Sequence, residues 1–405
     1  MSLELAKDPR HQRSAASQIP WIRKILAALN LPLVAVLTAL TVLGLLIVAS
    51  AITGRNDYSM SRQILGVVLG GLALLAFWIV DYRLWSRLTL PLYIVCLLLI
   101  LTPLIPGLGV EVNGAKNWIM IFGQQIQPGE FAKVLVIILM AALVSRYRGK
   151  LQSGKEYLKC LGLLALPVIC VALQPDLGTG LVYLAIGLVV LFAGGANRWW
   201  LALTVILGAT LIVGVLALDP VLDQYFGHDV LIKTYQYNRL MVFLNQDLDP
   251  SGLGFNLQQA KIAIGSGGWL GAGYMQGAQA GLGFLPEAPT DFIFCVLAED
   301  FGFVGSLGLI GLYALLIFLS IRIALKAEAF GALLIAGGVG MWIFQILVNI
   351  GMTCGLMPIT GIPLPFMSYG SSFMIVNFSV VGLICSISTR TAWESQAQAG
   401  LEPLS

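Results

Sequence analysis

Apolar residues in this chain gather in runs of about twenty, without the alternation of half-buried strands or the one-sided stripe of soluble helices, which is the pattern of helices surrounded by hydrocarbon. The first run spans Leu31 to Ile52, and others lie near 62–80, 88–106, 129–145, 158–174, 178–195, 199–218, 301–325, 329–352 and 372–389. The pattern predicts an all-α polytopic membrane protein with ten transmembrane helices. Residues 1–30 form a polar, basic N-terminal segment, 31–389 one transmembrane domain, and 390–405 a C-terminal tail. An Ala49–Ala51 triplet imitates a signal-peptidase site. A secretory apolar region is only about 7 to 15 residues long, so the first run is read as a retained helix.

Two connections stand out. The segment 107–129 is polar and carries Glu111, Asn113, Lys116, Asn117, Trp118 and Gln124. The segment 219–300, between the seventh and eighth helices, is far longer than ordinary connections, and such length in a compact fold points to function. It holds nine acidic and three basic residues (Lys233, Arg239, Lys261). No inverted repeat of the transporter kind is visible.

Composition agrees: 58% of the residues are apolar and 11% charged, with a mean hydropathy of +0.89. Soluble enzymes and disordered chains are excluded. So is nucleic acid as a partner, since 23 Lys and Arg against 20 Asp and Glu leave no basic face. The placement of charge is more telling. With both termini inside, the cytoplasmic segments hold 16 of the 23 basic residues, five of them in the loop Ser145–Lys159 (Arg146, Arg148, Lys150, Lys155, Lys159). The Lys/Arg bias therefore predicts N-in, C-in, with both unusual segments outside. The six cysteines are scattered singly and read as packing residues.

Chemistry-bearing candidates concentrate outside. Phe284–Phe294 (FLPEAPTDFIF) sets Glu287 and Asp291 among apolar residues and two prolines, a composition that would hold carboxylates in the membrane interface. Such a carboxylate can remove a proton from a hydroxyl, or it can simply cap the next helix; spacing alone favours the cap. Glu299 and Asp300 have a similar plain reading as first-turn carboxylates. Asp176, in QPDLGTG at 174–180, sits between two runs with almost no loop, and is either functional at membrane depth or the cap of the sixth helix. Gln258–Gly273 is an amphipathic stretch ending in glycines, and Met357–Ser372 contains three prolines that preclude a continuous helix. Asp247-Leu248-Asp249 imitates a metal-binding Asp-x-Asp, a pair common by chance. His11 and His228 are too far apart to suggest a metal site, and no metalloprotease, nucleophile-elbow or Walker pattern occurs.

Together, NGAKNWI (113–119), QPGEFAK (127–133), QPDLGTG, QAKIAIGSGG (259–268), FLPEAPTDFIF and GIPLPFMSYG (361–370) resemble the SEDS family, the RodA and FtsW proteins of bacterial wall synthesis, from the first span to the last. Lys261 and GIPLPF are closer to RodA than to FtsW, while Ser371 stands where the family commonly has a glycine. The resemblance implies a peptidoglycan glycosyltransferase of the bacterial cytoplasmic membrane that polymerises lipid II on the outer face for cell elongation. It would work with a class B penicillin-binding protein and other membrane proteins of the elongation complex, and Asp291 matches the family's essential aspartate. The chemistry is an inversion, from an α-linked diphosphate to a β-1,4 glycoside, which needs one base and no covalent intermediate. Asp291 is the expected base. Lys116, Arg239 and Lys261 are the cations in position to aid the departing diphosphate, and Trp118, Asp176 and Glu287 complete the expected substrate-binding set. A divalent cation could share that duty. Rival readings are a division- or sporulation-type polymerase, a flippase for the lipid-linked precursor, which should carry its charges at mid-membrane, and a pure scaffold.

Overall fold

The computed structural model describes residues 30–398 except 113–114, 122, 148, 150, 227–233, 246–248, 250–251 and 282. The basic N-terminal segment, the end of the tail, Asn113, Arg148, Lys150, His228, Asp229, Lys233 and Asp247 lie outside the described residues. The helices are α1 Leu31–Ala51, α2 Met60–Ile79, α3 Arg83–Arg87, α4 Thr89–Leu101, α5 Pro128–Ser145, α6 Gly154–Ala172, α7 Leu177–Ala193, α8 Arg198–Phe226, α9 Thr234–Leu244, α10 Leu253–Ser266, α11 Ala278–Gly281, α12 Ile293–Ala324, α13 Ala329–Thr353 and α14 Ser371–Gln398. Each of the ten apolar runs falls on a helix. Seven helices among the described residues are long and apolar enough to cross a membrane. Of the other three, α4 and α7 are apolar but shorter, and α6 carries Lys155, Glu156 and Lys159 near its start. The chain is a multi-pass, helical membrane protein.

Local chemistry sets several boundaries. The Asn30 side chain accepts the Leu33 amide at 3.2 Å to open α1, and α5 opens on Pro128, whose missing N–H costs nothing in a first turn. One buried cluster runs from Leu33 to Ile387, and all six cysteines are free. α14 is the most enclosed span and packs along α2, where Gly66 leaves room for the backbone of Ser371. The Trp342 indole donates to Asn377 at 2.8 Å and ties α13 to α14. By contrast α8 stands at the periphery, with none of its apolar window buried.

Three expectations need correction. The segment 107–129 is not merely polar loop: Gly109–Val112 (β1), Ala115–Ile121 (β2) and Gln124–Ile126 (β3) form an antiparallel meander, with Trp118 opposite Val110 and Ile119 opposite Ile126. Nor is 219–300 one loop. α8 runs on to Phe226, α9 to α11 fill much of the segment, and α12 begins at Ile293 rather than near 301. Gly302, at φ +66°, breaks α12, and the Phe303 and Val304 amides donate to Gly268 and Trp269 of the glycine-rich loop. Any side chain at Gly302 would strike that loop's backbone. Glu299 and Asp300 therefore end a buried half-helix and are not first-turn carboxylates of α12.

Candidate functional site

The residues between α11 and α12 fold into a tight turn. The Glu287 carbonyl accepts the amides of Thr290 (3.3 Å), Asp291 (3.1 Å) and Phe292 (3.1 Å), and the Thr290 hydroxyl donates to the Glu287 carboxylate at 3.0 Å. Pro286 and Pro289 restrict this backbone, while buried Leu285, Ala288 and Phe292 anchor it. α12 is preceded by Phe292 and has no side-chain cap, so Asp291 is not spent on capping. Its carboxylate is held by the turn.

The irregular segment between α13 and α14 supports the turn from beneath. The Tyr369 amide donates to Pro289 at 2.8 Å and the Ser368 hydroxyl to Thr290 at 2.6 Å. Asn349, fully buried in α13, donates to the Asp291 carbonyl at 2.9 Å and the Ile362 carbonyl at 2.8 Å. Gly361, at φ +71°, faces both charged partners: a β-carbon there would lie 3.0 Å from Arg239 Nη1 and 3.2 Å from Asp291 Oδ2. Arg239, from α9, also donates to the Thr360 carbonyl at 3.1 Å. A carboxylate and a guanidinium thus border one small space. Burial pushes the Asp291 carboxyl up to about 6, helped by Glu287 and opposed by Arg239.

The other expected residues divide. Asp176 caps α7 and is fully engaged, accepting from Thr179 N (3.0 Å), Thr179 Oγ1 (2.9 Å), Asn117 Nδ2 (2.7 Å) and Gln127 Nε2 (2.9 Å). It joins the sheet to α7 and adjoins the same segment, since a β-carbon on Gly178 would lie 3.1 Å from the Thr360 carbonyl. Lys261, exposed on α10, lies across Gly355 at the end of α13. Lys116 extends over Gly109 within the sheet, and half-buried Trp118 is its neighbour on β2; no described contact brings either to Asp291. Of Asp-Leu-Asp, only Asp249 is described, accepting the Leu253 amide at 2.7 Å as α10 begins. Among the described residues no three His, Cys, Asp or Glu side chains are placed to share a metal ion.

Comparison with known proteins decides the family. Residues 28–392 match the cell cycle protein family of FtsW, RodA and SpoVE. The chain is 37% identical to the peptidoglycan glycosyltransferase MrdB of Escherichia coli K12 over 87% of its own length and 92% of that protein's. It is 34% identical to the probable peptidoglycan glycosyltransferase FtsW of Trichlorobacter lovleyi, over 90% and 94%. This chain belongs to the SEDS family. Among solved structures, a chain from a peptidoglycan synthase complex that coordinates polymerisation and crosslinking matches at TM-score 0.72 and 31% identity, over 90% of this chain and 98% of that one. The rod shape determining protein RodA of Thermus thermophilus matches at 0.63 and 29%, over 89% and 96%.

Sequence reasoning missed two parts of this SEDS protein's site. Arg55, between α1 and α2, donates through Nη2 to the Leu285 carbonyl at 2.5 Å and through Nη1 to that of Pro286. Three residues on, the Tyr58 ring meets Tyr369 edge-on, with centroids 5.1 Å apart. Burial and the nearby Glu287 push the Tyr58 hydroxyl up to about 12, so it is neutral beside the carboxylates. The only sequence signal for either is an arginine and a tyrosine in the short connection between α1 and α2.

Proposed function

We propose that this protein polymerises lipid II on the outer face of the bacterial cytoplasmic membrane, with Asp291 as general base. The observation that carries this reading is a carboxylate on a turn pinned to the bundle, sharing the space beside Gly361 with Arg239, where burial pushes the carboxyl up to about 6. A base with that pKa is ionised at pH 7 and a stronger proton acceptor than an ordinary aspartate, which suits removal of a sugar hydroxyl proton. In the reaction, the acceptor oxygen bonds to the donor's anomeric carbon from the face opposite the diphosphate. The carbon–oxygen bond to the diphosphate breaks, Asp291 takes the hydroxyl proton, and the negative charge leaves on the lipid diphosphate. Arg239 is the cation best placed to stabilise that charge, Glu287 orders the turn through Thr290, and Lys261 supplies positive charge further along the same outer face.

No nucleotide is present outside the membrane, so the sugar must arrive activated on its lipid, which accounts for an enzyme built almost wholly of spanning helices. Both termini face the cytoplasm in this scheme, as the Lys/Arg bias directs. A cysteine placed at exposed Gln276 should react with an impermeant thiol reagent on spheroplasts and one at Ser153 should not; the opposite pattern would reverse the orientation. We infer a class B penicillin-binding protein as partner, supported by the likeness to a synthase complex, and a role in elongation, supported by Lys261 and the GIPLPF segment. Purified protein incubated with lipid II in detergent or vesicles should yield glycan polymer. Absence of polymer from folded protein, alone and with its transpeptidase, would favour the flippase or scaffold reading.

A further inference from the structure

The turn that carries Asp291 is held almost entirely by its carbonyls. Those of Glu287, Pro289, Thr290 and Asp291 accept, respectively, from the turn's own amides, Tyr369 N, Ser368 Oγ and Asn349 Nδ2. These partners belong to the turn itself or to the buried α13–α14 region. The two carbonyls that enter the turn, Leu285 and Pro286, have a partner from outside this region: both accept from the guanidinium of Arg55, more than two hundred residues earlier in the chain, and that of Leu285 accepts the Ala288 amide at 3.1 Å as well. The loop carrying Arg55 also touches Tyr369, whose amide donates to the Pro289 carbonyl of the turn. Tyr58 packs edge-on against Tyr369, and the Tyr369 hydroxyl donates to the Ser59 carbonyl at 3.2 Å. Arg55 Nε is enclosed with no hydrogen-bond partner, so the side chain is committed to the two carbonyls at the cost of one unpaired donor.

A planar guanidinium suits this task, because its two terminal nitrogens can address adjacent acceptors at a fixed separation, which a single ammonium cannot. We propose that Arg55 is a positioning residue for catalysis, clamping the entry to the 287–292 turn so that Asp291 is held, largely desolvated, at the space it shares with Arg239. The proposal rests on the reading of Asp291 as the base. Displacing a catalytic group by about 1 Å can cost about a hundredfold in rate, so losing the clamp should lower turnover without removing any contact to the lipid substrate. Loosening the turn should also admit water around Asp291, whose remaining charged neighbours are Glu287 and Arg239, with Tyr58 of the α1–α2 loop a neutral titratable group nearby. Hydration would bring the carboxyl back toward its ordinary value.

The test compares Arg55→Met and Arg55→Lys with the parent, measuring kcat, KM for lipid II, and the pH dependence of kcat in purified, folded protein. Arg55→Met should lower kcat at pH 7.5 by about ten- to a hundredfold with KM unchanged, and move the acidic limb of the profile to lower pH; Arg55→Lys, keeping one donor, should recover part of both. A parental kcat in Arg55→Met would overturn the proposal. So would activity lost only in proportion to folded protein with the limb unmoved, which is the mark of a purely structural arginine, or a raised KM with unchanged kcat, which would make Arg55 a substrate contact. If Arg55→Met does not fold, Arg55→Lys decides on the same criteria. Asp291→Asn, run alongside, separates the two claims: full activity in that variant refutes the base itself, whatever Arg55 does.

Discussion

Replacing Asp291 by Asn should make the protein less active and more stable, and both effects follow from one property of the site. Asn has nearly the shape of a protonated aspartate, so the variant approximates the folded protein with its base permanently neutralised. Polymerisation should fall by about 10²- to 10⁴-fold, the usual loss when a general base is removed, with lipid II still bound. Stability should move the other way. The carboxyl lies at about 6 in the folded protein against an ordinary 3.8, so the fold favours its neutral form; at neutral pH, keeping it ionised costs about 3 kcal/mol. For an acid whose folded-state value is raised, the penalty is complete above about pH 6, shrinks as pH falls toward 4, and vanishes below it, where folded and unfolded chains are both protonated. Thermal unfolding in detergent, followed by tryptophan fluorescence, should therefore show Asp291→Asn melting above the parent at pH 7.5, with the two curves converging near pH 4. A variant that melts at or below the parent at pH 7.5, or that differs equally at every pH, would refute the account of Asp291 as a desolvated base. For the same reason the parent's turnover should decline as pH falls through about 6.

Gly361→Ala should reduce polymerisation by about tenfold or more while leaving lipid II binding largely intact, because its methyl would press on both Arg239 and Asp291 in a backbone conformation that disfavours side chains; a fully active variant would show that the two groups need not share that space. At Lys261, Gln should weaken lipid II binding and Arg should preserve part of it if the ammonium meets the diphosphate, whereas equal binding by both in a flotation assay would leave it a solvated side chain.

The spanning helices were legible because hydrocarbon demands long, nearly uniform apolar runs, and the ends of most runs coincide with proline, charge or a polar cap. The break in α12 was not. Glu299 and Asp300 read as first-turn carboxylates of a span that begins near 301, and nothing local reveals that Gly302 turns the chain so that both acids are enclosed at the end of a half-helix. The strands at 109–126 were missed because AKNWIMI does not alternate, pairing two adjacent polar residues with four consecutive apolar ones, and it is flanked by short polar stretches. For the site carboxylates, spacing offered a cap at Asp176 and another at Asp291. The first is a cap and the second is not, and the difference lies in the next turn of backbone, not in composition. Arg55 could not have been found, since its partners are 230 residues away and are carbonyls, which every residue has.

The contrast between those two carboxylates is also what the fold achieves chemically. Asp176 spends its carboxylate on four hydrogen bonds that fix the start of α7 to its neighbours, whereas the Asp291 backbone takes the structural bonds and leaves its carboxylate facing a cation across Gly361. Both depend on one short piece of chain. Thr360 offers its carbonyl to Arg239 and packs against Gly178 beside Asp176, and Ile362 is held by the same Asn349 that holds Asp291. Residues 360–362 therefore connect the start of α7 with Arg239 and Asp291 through direct contacts. An irregular segment, which a hydrocarbon environment tolerates only where protein or water satisfies its backbone, serves here as the common reference for both ends of the site.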